Sequence, residues 1–309
     1  MSDTTCLIVG ASHAGAQLSL ALRQGGFDGR VVLISDEALT PYQRPPLSKD
    51  LLSGARTVEQ VPIRPSALFE KASVEMCLGV QVRQLDRRHK TVLLSDGETL
   101  AYDKLVLATG ARPREIPVTG VDKDGVFYLR NIADVGRIRP FVKRGKRAVI
   151  VGGGYIGLEA AASLRSAGME VTVLEAMPRV LQRVTSAPVS DFFERLHAEQ
   201  GVEIQTGARV ASIEGEQGVE HVRCANGRKI EADLVIIAIG IVPNTELARS
   251  AGLEVGDGIR IDEYCQTSDP DVLAVGDCSF QYNPIYQRWV RLECVQNATD
   301  QAKNAAATL

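Results

Sequence analysis

Apolar and polar positions along the chain form a pattern that occurs twice. Residues 6–15 read CLIVGASHAG and residues 148–157 read AVIVGGGYIG, so in both a short apolar run enters a glycine turn. An alanine-rich helical segment follows at 16–25 and at 158–168, and then a second apolar run, VVLI or VTVL. Continuous apolar runs are typical of buried parallel strands. Each copy therefore predicts a strand, a turn, a helix and a second strand.

The similarity between the two copies continues downstream. Residues 74–110 and 202–240 each contain a strand, a glycine, a two-stranded ribbon and an apolar strand that ends in glycine. The ribbons turn at Asp-Gly (96–97) and Asn-Gly (226–227), which favour the left-handed backbone of tight hairpins. The sequence therefore indicates one α/β fold that has been duplicated.

The duplication also predicts the order of the domains. The second copy ends at Gly240, after which we expect the chain to return to the first domain. The expected parts are residues 1–112 for the start of the first domain, 113–240 for an inserted second domain, and 241–309 for the remainder of the first.

The composition is that of a folded protein with little bulk charge. Of the 309 residues, 45% are hydrophobic and 24% are charged, and the net charge is −3, too small to favour nucleic acid or a membrane surface. No run of about 18 apolar residues occurs, and the N-terminus MSDTT lacks the basic and apolar regions of a signal peptide. We therefore expect a cytoplasmic protein that binds neither nucleic acid nor membranes.

The metal-ligating residue types are dispersed. The six cysteines and four histidines show no C-x-x-C pair and no zinc-finger spacing. We therefore predict no metal site.

The glycine turn of the second copy matches the dinucleotide fingerprint G-x-G-x-x-G. Gly152 makes the tight turn, Gly154 leaves room for a pyrophosphate, and Gly157 lets the helix pack closely on the strand. Glu175 closes the next strand, where a carboxylate accepts hydrogen bonds from the ribose and repels a 2′-phosphate. This turn therefore predicts NADH rather than NADPH. The nearby Arg179 would soften that preference unless it is an ordinary solvated arginine.

The glycine turn of the first copy departs from the fingerprint at one position. Residues 10–15 read GASHAG, so Ser12 stands where the middle glycine belongs. Serine is small enough to leave room for a pyrophosphate, and its hydroxyl can donate a hydrogen bond to it. Asp36, just after the second strand, is the expected ribose partner, with Glu37 the less favoured choice. The alternative is a purely structural turn that holds no ligand.

Motifs along the whole chain resemble one family. They are PYQRPPLSKDLL (41–52), LVLATGARPR (105–114), VGGGYIGLEAAASL (151–164), IAIGIVPNTELA (237–248), TSDPDVLAVGDC (267–278) and RWVRLECVQNA (288–298). The chain resembles the FAD-dependent ferredoxin reductases of the putidaredoxin reductase and rubredoxin reductase type, relatives of apoptosis-inducing factor among the two-dinucleotide-domain flavoproteins.

The resemblance implies a fold. It is a glutathione-reductase-like α/β fold of two Rossmann-like domains, with the NAD-binding domain at 113–240 inserted in the FAD-binding domain. Family members continue into a third, C-terminal domain, so the resemblance also implies that this domain is missing from the sequence. For the oligomeric state we expect a monomer or a weak homodimer.

The resemblance also assigns roles to residues. Lys49 matches the lysine beside the flavin ring, and Glu159 matches the glutamate where nicotinamide meets flavin, so these two are the expected catalytic residues and are expected to pair. The expected FAD-binding residues are Gly10, Ser12, His13, Ala14, Gly15, Asp36, Pro46, Lys49, Val82, Ala108, Thr109, Gly110, Arg130, Gly276, Asp277 and Val295. The expected NAD-binding residues are Gly152, Gly153, Gly154, Tyr155, Ile156, Gly157, Glu159, Glu175, Ile239 and Gly240.

The cysteines separate this chain from relatives that use thiol chemistry. Those relatives place redox cysteines as C-x-x-C or soon after the first domain's second strand, and residues 39–52 contain none here. Cys278 has no nearby partner in sequence and is expected to be a small buried residue. Electrons are therefore expected to leave the flavin directly.

The electron acceptor is implied by the resemblance. It is a small iron–sulfur protein, a 2Fe-2S ferredoxin that serves a haem monooxygenase or an aromatic-ring dioxygenase. The alternatives are a rubredoxin reductase, a monodehydroascorbate-type or oxygen-reducing enzyme, and an NADH-sensing flavoprotein like apoptosis-inducing factor.

Overall fold

The computed structural model describes residues 4–309, in which strands and helices alternate as the apolar runs predict. The helices are α1 (His13–Gln24), α2 (Asp50–Ser53), α3 (Ser66–Lys71), α4 (Ile132–Ile138), α5 (Tyr155–Ser166), α6 (Ala187–Glu199), α7 (Glu246–Ser250) and α8 (Val295–Thr308). Short 3-10 helices span Pro45–Ser48, Val58–Gln60, Arg139–Phe141 and Gly276–Cys278.

The strands are β1 (Thr5–Val9), β2 (Arg30–Ser35), β3 (Val74–Leu78), β4 (Val82–Asp86), β5 (Thr91–Leu94), β6 (Thr99–Ala101), β7 (Lys104–Leu107), β8 (Ala111–Pro113), β9 (Val126–Tyr128), β10 (Arg147–Val151), β11 (Glu170–Leu174), β12 (Val202–Gln205), β13 (Val210–Glu214), β14 (His221–Cys224), β15 (Lys229–Glu231), β16 (Leu234–Ile237), β17 (Ile241–Pro243), β18 (Val255–Gly256), β19 (Gly258–Ile261), β20 (Val272–Ala274), β21 (Ser279–Asn283) and β22 (Arg288–Val290).

The chain divides into two compact units. Unit 1 comprises the residues up to Gln43 together with Pro62–Arg112 and Pro243–Leu309, and unit 2 comprises Arg44–Val61 and Pro113–Val242. The segment Arg44–Val61, which the sequence prediction placed in the first domain, therefore packs within unit 2. The functional division into 1–112, 113–240 and 241–309 stays a prediction.

Each unit is built on a five-stranded parallel sheet, and four strands of the two sheets correspond in order, while the edge strand is β20, the last of its sheet in the chain, in unit 1 and β9, the first of its sheet, in unit 2. In unit 1 the order is β3-β2-β1-β7-β20, and in unit 2 it is β12-β11-β10-β16-β9. The registers correspond, since Thr5 pairs with Arg30 at the start of one central strand pair and Arg147 with Glu170 at the start of the other. The predicted duplication is thus confirmed as two Rossmann-like α/β units.

A three-stranded antiparallel sheet accompanies each parallel sheet. It consists of β4-β5-β6 in unit 1 and of β13-β14-β15 in unit 2. The first strand of each has a register shift directly after its first residue, Val82 or Val210. The predicted hairpin turns are confirmed, because Gly97 and Gly227 lie in the left-handed region with φ +93° and +85°.

The central strands and one long helix pair form the core of unit 1. Leu7 and Ile8 of β1 are fully buried. Helices α1 and α8 pack against each other, and α8 contributes a face of small side chains at helical spacing that includes Ala298, Ala302 and Ala305. Small side chains allow the close approach of the two helices, which places the segments before α8 near the start of α1.

The helices after the glycine turns begin earlier than predicted. Helix α1 begins at His13 rather than at residue 16, and α5 begins at Tyr155 rather than at residue 158. The glycine turn leads directly into the first helical turn, because the residues Ser12 and Gly154 are themselves the extended N-caps.

None of the helices formed by residues 4–309 has the length and apolar character that crossing a bilayer requires.

Candidate dinucleotide-binding sites

The first and third glycines of the two turns are required by the protein's own packing. Gly10 has φ +114°, and a Cβ there would lie 2.1 Å from the carbonyl oxygen of Ala108. Gly152 has φ +111°, and a Cβ there would lie 2.4 Å from the corresponding carbonyl oxygen of unit 2. The third glycines, Gly15 and Gly157, would bring a Cβ within 1.9 and 2.0 Å of the carbonyl oxygen of the first. The two turns therefore have one geometry.

The middle position of the turn is open in unit 2. Nothing lies within 4 Å of the place that a Cβ on Gly154 would take, so packing does not require glycine there. In unit 1 the position holds Ser12, and both residues are N-caps of 12-residue helices. The N-terminus of such a helix after a parallel strand is where a pyrophosphate binds in dinucleotide sites. The space above Gly154 fits that use.

A cavity of about 770 Å³ opens beside the first turn, within unit 1. Its lining includes Gly10 and Thr109 at the turn, Asp36 after β2, and Val82 in β4. The volume is that of a small-molecule or cofactor site. Four of the residues predicted to bind FAD therefore face one cavity.

The two acidic residues after β2 differ in their surroundings. Asp36 lines the cavity, and its carboxylate makes no hydrogen bond to any other residue in the described part of the chain. Glu37 instead accepts a hydrogen bond of 2.6 Å from the hydroxyl of Tyr42. The arrangement suits the ribose role that the sequence predicts for Asp36 rather than for Glu37.

In unit 2 the carboxylate at the end of the second strand is folded onto the turn. Glu175 Oε2 accepts a hydrogen bond of 2.6 Å from the backbone N–H of Gly153, and its Oε1 accepts one of 2.8 Å from the N–H of Met177. A Cβ on Gly153 would lie 3.1 Å from the Glu175 carboxylate and 2.9 Å from Val180. Glycine at this position therefore lets Glu175 hold the turn.

Two arginines follow Glu175, and they have different environments. The guanidinium of Arg179 donates to Ser190 Oγ at 2.5 Å and to the carbonyl oxygen of Gln182 at 3.1 Å, so it is fixed within the loop rather than solvated. Arg183, which the sequence did not single out, lies over Gly240, where a Cβ would be 3.3 Å from its Nη2. The cation beside a predicted NAD-binding residue is therefore Arg183.

Two further segments of unit 1 meet the first turn. A Cβ on Gly276 (φ +80°) would lie 3.1 Å from the Cβ of Ala14, which places the Gly276–Asp277 turn at the start of α1. Asn244 donates from Nδ2 to the carbonyl oxygen of Thr109 at 2.9 Å, and its own carbonyl oxygen accepts from the Thr109 hydroxyl at 2.7 Å. Asn244 lies in the motif IAIGIVPNTELA, yet no local spacing marks it as a partner of Thr109.

The predicted pair of Lys49 and Glu159 is confirmed within unit 2. The Lys49 ammonium lies 2.6 Å from Glu159 Oε2, and the Ser48 hydroxyl donates to the same oxygen at 2.6 Å. Lys49 Nζ also donates to the carbonyl oxygen of Pro45 at 3.3 Å. The side chains of the pair are 44% and 34% exposed, which leaves both accessible to a ligand. Their catalytic role stays a prediction.

The other predicted residues lie at the ends of strands or the starts of helices. His13 begins α1, Ala108 and Gly110 follow β7, Arg130 precedes α4 in unit 2, Pro46 is buried in the 3-10 helix Pro45–Ser48, Tyr155 and Ile156 are exposed at the start of α5, Ile239 follows β16, and Val295 begins α8. Their contacts with cofactors stay predictions.

The six cysteines are free. Burial raises the pKa of Cys6 to about 12 and that of Cys265 to about 11, and it also raises the pKa of the fully buried Cys278. The expectation that Cys278 is a small buried residue is confirmed. A thiol whose pKa is raised yields little thiolate and is therefore a poor redox nucleophile. Among residues 4–309, no cluster of His, Cys, Asp and Glu could hold a metal ion.

Two parallel sheets, each with a glycine turn leading into a helix, define an α/β protein of the two-dinucleotide-domain class. The chain belongs to the pyridine nucleotide-disulphide oxidoreductase family, which matches residues 4–302. It is therefore an oxidoreductase that uses a flavin and a reduced pyridine nucleotide, and the resemblance found in the sequence is confirmed.

Within this family, the chain is similar to individual reductases of small electron-transfer proteins. The chain is 46% identical to putidaredoxin reductase CamA from Pseudomonas putida, over 100% of this chain and 74% of that protein. It is 40% identical to a rubredoxin-NAD(+) reductase from Pseudomonas putida, over 98% of this chain and 79% of that protein. The solved structure of the putidaredoxin reductase–putidaredoxin complex matches with a TM-score of 0.97 at 44% identity, over 100% of this chain and 75% of that one.

Proposed function

We propose that the protein is an NADH-dependent ferredoxin reductase. It holds FAD at the first glycine turn and NADH at the second, and it passes single electrons to a 2Fe-2S ferredoxin that serves a haem monooxygenase or an aromatic-ring dioxygenase. The observation that carries the proposal is the pair of turns with one backbone geometry and different carboxylates, in a chain similar to putidaredoxin reductase over its whole length.

FAD is assigned to unit 1 because four of the residues predicted to bind it line one cavity there. The cavity of about 770 Å³ gives Asp36 and Val82 a common space beside the turn. The start of α1 offers backbone N–H groups to a pyrophosphate, and Gly276 brings Asp277 to the same place. These features support a flavin that carries an adenosine half, which is FAD rather than the shorter FMN.

NADH is assigned to unit 2 on the strength of Glu175. Its carboxylate lies against Gly153, where a ribose hydroxyl can donate to it and a 2′-phosphate would be repelled. Arg179, the residue that would favour NADPH, is held by Ser190 and Gln182 instead. The arrangement supports a preference for NADH.

The Lys49–Glu159 pair is assigned to the transfer step. A bound flavin supplies the redox chemistry, because it takes up a hydride and gives up electrons one at a time. With the flavin bound, Lys49 would supply a positive charge to the negative charge that a hydride brings, and electrostatic stabilisation of that kind is effective because the charge is preorganised. Glu159 and the Pro45 carbonyl oxygen hold the ammonium in place.

The acceptor is assigned from the cysteines and the relatives. The thiols of this chain are unpaired and mostly buried, so a dithiol relay has no residues to use. The relatives are named as reductases of putidaredoxin and rubredoxin. A one-electron iron–sulfur carrier therefore suits the chain best, with a rubredoxin as the second candidate.

Rapid mixing of the purified yellow protein with NADH, followed by a panel of acceptors, tests the assignment. We expect fast flavin bleaching and fast reoxidation only by a 2Fe-2S ferredoxin, read as cytochrome c reduction. Faster reoxidation by a rubredoxin would favour the second candidate. Slow reoxidation by every carrier would contradict both and favour an NADH sensor.

A lysine variant tests the role of the pair. Lys49→Ala is expected to slow flavin reduction much more than it weakens FAD binding, whereas Lys143→Ala, an exposed lysine elsewhere in unit 2, should change neither. Equal losses of reduction rate and FAD affinity in Lys49→Ala would make Lys49 a structural residue only.

A further inference from the structure

A buried amide joins helix α8 to the turn that carries Asp277. Gln301 is only 6% exposed. Its Oε1 accepts hydrogen bonds from the backbone N–H of Gly276 at 2.7 Å and from Asn297 Nδ2 at 3.2 Å, and the Ser279 hydroxyl lies 2.9 Å away. Its Nε2 donates to Gln281 Oε1 at 3.1 Å. All these residues belong to unit 1.

The turn needs such an anchor because its own backbone is unusual. Gly276 has φ +80°, and it is packed between Ala14 at the start of α1 and Ala298 in α8. The Ser279 hydroxyl also lies 2.8 Å from the Gly276 carbonyl oxygen, so the polar groups on both sides of Gly276 are engaged. A buried N–H that loses its acceptor keeps the full cost of its removal from water. Without Gln301 the Gly276 N–H would have to find another acceptor, and the turn would shift.

We propose that Gln301 is a positioning residue for FAD. Its Oε1 fixes the Gly276–Asp277 turn against the start of α1, so that Asp277 and the first glycine turn face the dinucleotide together. The proposal rests on the assignment of FAD to unit 1. Gln301 lies on the buried face of α8, and none of the hydrogen-bond partners of its side chain lines the cavity, so it acts through Gly276.

Reconstitution of the flavin-free chain with FAD tests this role. Gln301→Met keeps the length of the side chain but removes the strong acceptor, and we expect the Kd for FAD to rise about 10- to 100-fold. Gln301→Asn, whose side chain is too short for its amide to reach Gly276, should lose a similar amount of FAD affinity. It replaces Gln301→Met in the test if the methionine variant folds poorly. Gln301→Glu keeps an acceptor for the Gly276 N–H and for Asn297 Nδ2, and the Gln281 amide can turn its Nε2 toward the second oxygen, so the Kd should stay within about threefold of the unsubstituted chain.

The matched control is Asn304→Leu, on the same helix. Asn304 Nδ2 donates to the carbonyl oxygen of Glu263 at 2.6 Å, so its loss weakens the docking of α8 away from the turn. We expect unchanged FAD affinity in this variant. The visible circular dichroism of bound flavin should be altered in Gln301→Met and normal in Gln301→Glu and Asn304→Leu.

Three results would overturn the proposal. Gln301→Met or Gln301→Asn could bind FAD as tightly as the unsubstituted chain, Asn304→Leu could lose as much affinity as they do, or Gln301→Glu could fail to restore it. In each case FAD binding by the unsubstituted chain would leave the proposed function intact. Failure of the unsubstituted chain to bind FAD would overturn both.

Discussion

The two glycine turns share a backbone but hold their neighbouring carboxylates differently. Gly10 and Gly152 have φ values within a few degrees of each other, +114° and +111°, and both exclude a Cβ. Asp36 in unit 1 faces a cavity without a protein partner in the described part of the chain. Glu175 in unit 2 is bonded to the turn itself through Gly153.

The difference separates two kinds of constraint. The first and third glycines are required by contacts with the protein's own carbonyl groups, so they are needed whichever ligand is bound. The identity of the ligand depends on the positions that packing leaves open, namely the middle of the turn and the carboxylate beyond the second strand. Both copies keep the first and third glycines, whereas the residues at the middle of the turn and beyond the second strand differ.

Substitutions that break the shared backbone geometry of the two glycine turns should have the largest effect on the free energy of unfolding. Gly10→Ala and Gly152→Ala each force a left-handed backbone and a contact with a carbonyl oxygen, and we expect each to cost roughly 3 kcal/mol or more in urea unfolding. Gly10→Ala should also lose flavin. Gly97→Ala and Gly227→Ala are the controls, because their φ values are also positive but nothing lies within 4 Å of the added Cβ. Equal costs in all four would show that backbone strain alone constrains the turns.

The central strands β1 and β10 differ in the ion pairs made by the aspartate at their starts. Thr5 exchanges backbone and carboxylate hydrogen bonds with Asp103, and Arg147 exchanges the same pair of bonds with Asp233. In unit 2 the Arg147 guanidinium and the Lys146 ammonium also contact Asp233, each at 3.1 Å. Burial alone would raise the pKa of Asp233, but these hydrogen bonds lower it to about 2.

Asp233→Asn should therefore destabilise the protein more than Asp103→Asn does. A pKa lowered from 3.8 to about 2 corresponds to about 2 kcal/mol of stability or less at neutral pH, because water screens the exposed side chains of Lys146 and Arg147. Because the folded-state pKa is the lower one, this contribution is present above pH 3.8 and is lost as the pH falls toward 2. Urea unfolding of both variants at pH 7 and pH 3 measures it. A difference that does not shrink at the lower pH would contradict the role of the ion pairs.

The preference of the enzyme for NADH over NADPH tests the proposed difference between the carboxylates of Asp36 and Glu175. Glu175→Gln removes the charge that repels a 2′-phosphate, and we expect the ratio of kcat/KM for NADH over NADPH to fall about tenfold. Asp36→Asn, the matching change in unit 1, should leave that ratio unchanged. The assignment of the two turns would be reversed if only Asp36→Asn altered it.

The smallest effect is expected from making the second turn resemble the first. Gly154→Ser introduces the side chain that unit 1 carries as Ser12, at a position with open space around it. Thermal unfolding should be unchanged, and KM for NADH should rise by about threefold or less. A large loss of stability would mean that the middle glycine is a packing requirement after all.

A structural feature can be predicted from the sequence when the residues that form it are neighbours in the chain. The strands, the hairpins at Gly97 and Gly227 and the glycine turns depend on neighbouring residues, so their patterns indicate them directly. The predicted helix starts are three residues late, because the third glycines of the turns, Gly15 and Gly157, already lie in the first helical turn.

Residues that act through distant segments leave no such pattern. Lys49 and Glu159 were paired only through the family resemblance, since nothing in their local sequence relates them. Asn244 and Gln301 were missed because their partners, Thr109 and Gly276, become neighbours only in the folded unit. The packing of residues 44–61 within unit 2 is equally a tertiary property.

The central claim is that the second turn holds NADH while the first holds FAD, and Gly154→Val tests it most directly. The added side chain enters space that the protein leaves open, at the place assigned to the pyrophosphate. We expect the variant to keep its flavin and to be bleached normally by dithionite, while bleaching by NADH slows about 100-fold. Bleaching by NADH at the unsubstituted rate, or loss of the flavin from this variant, would contradict the account.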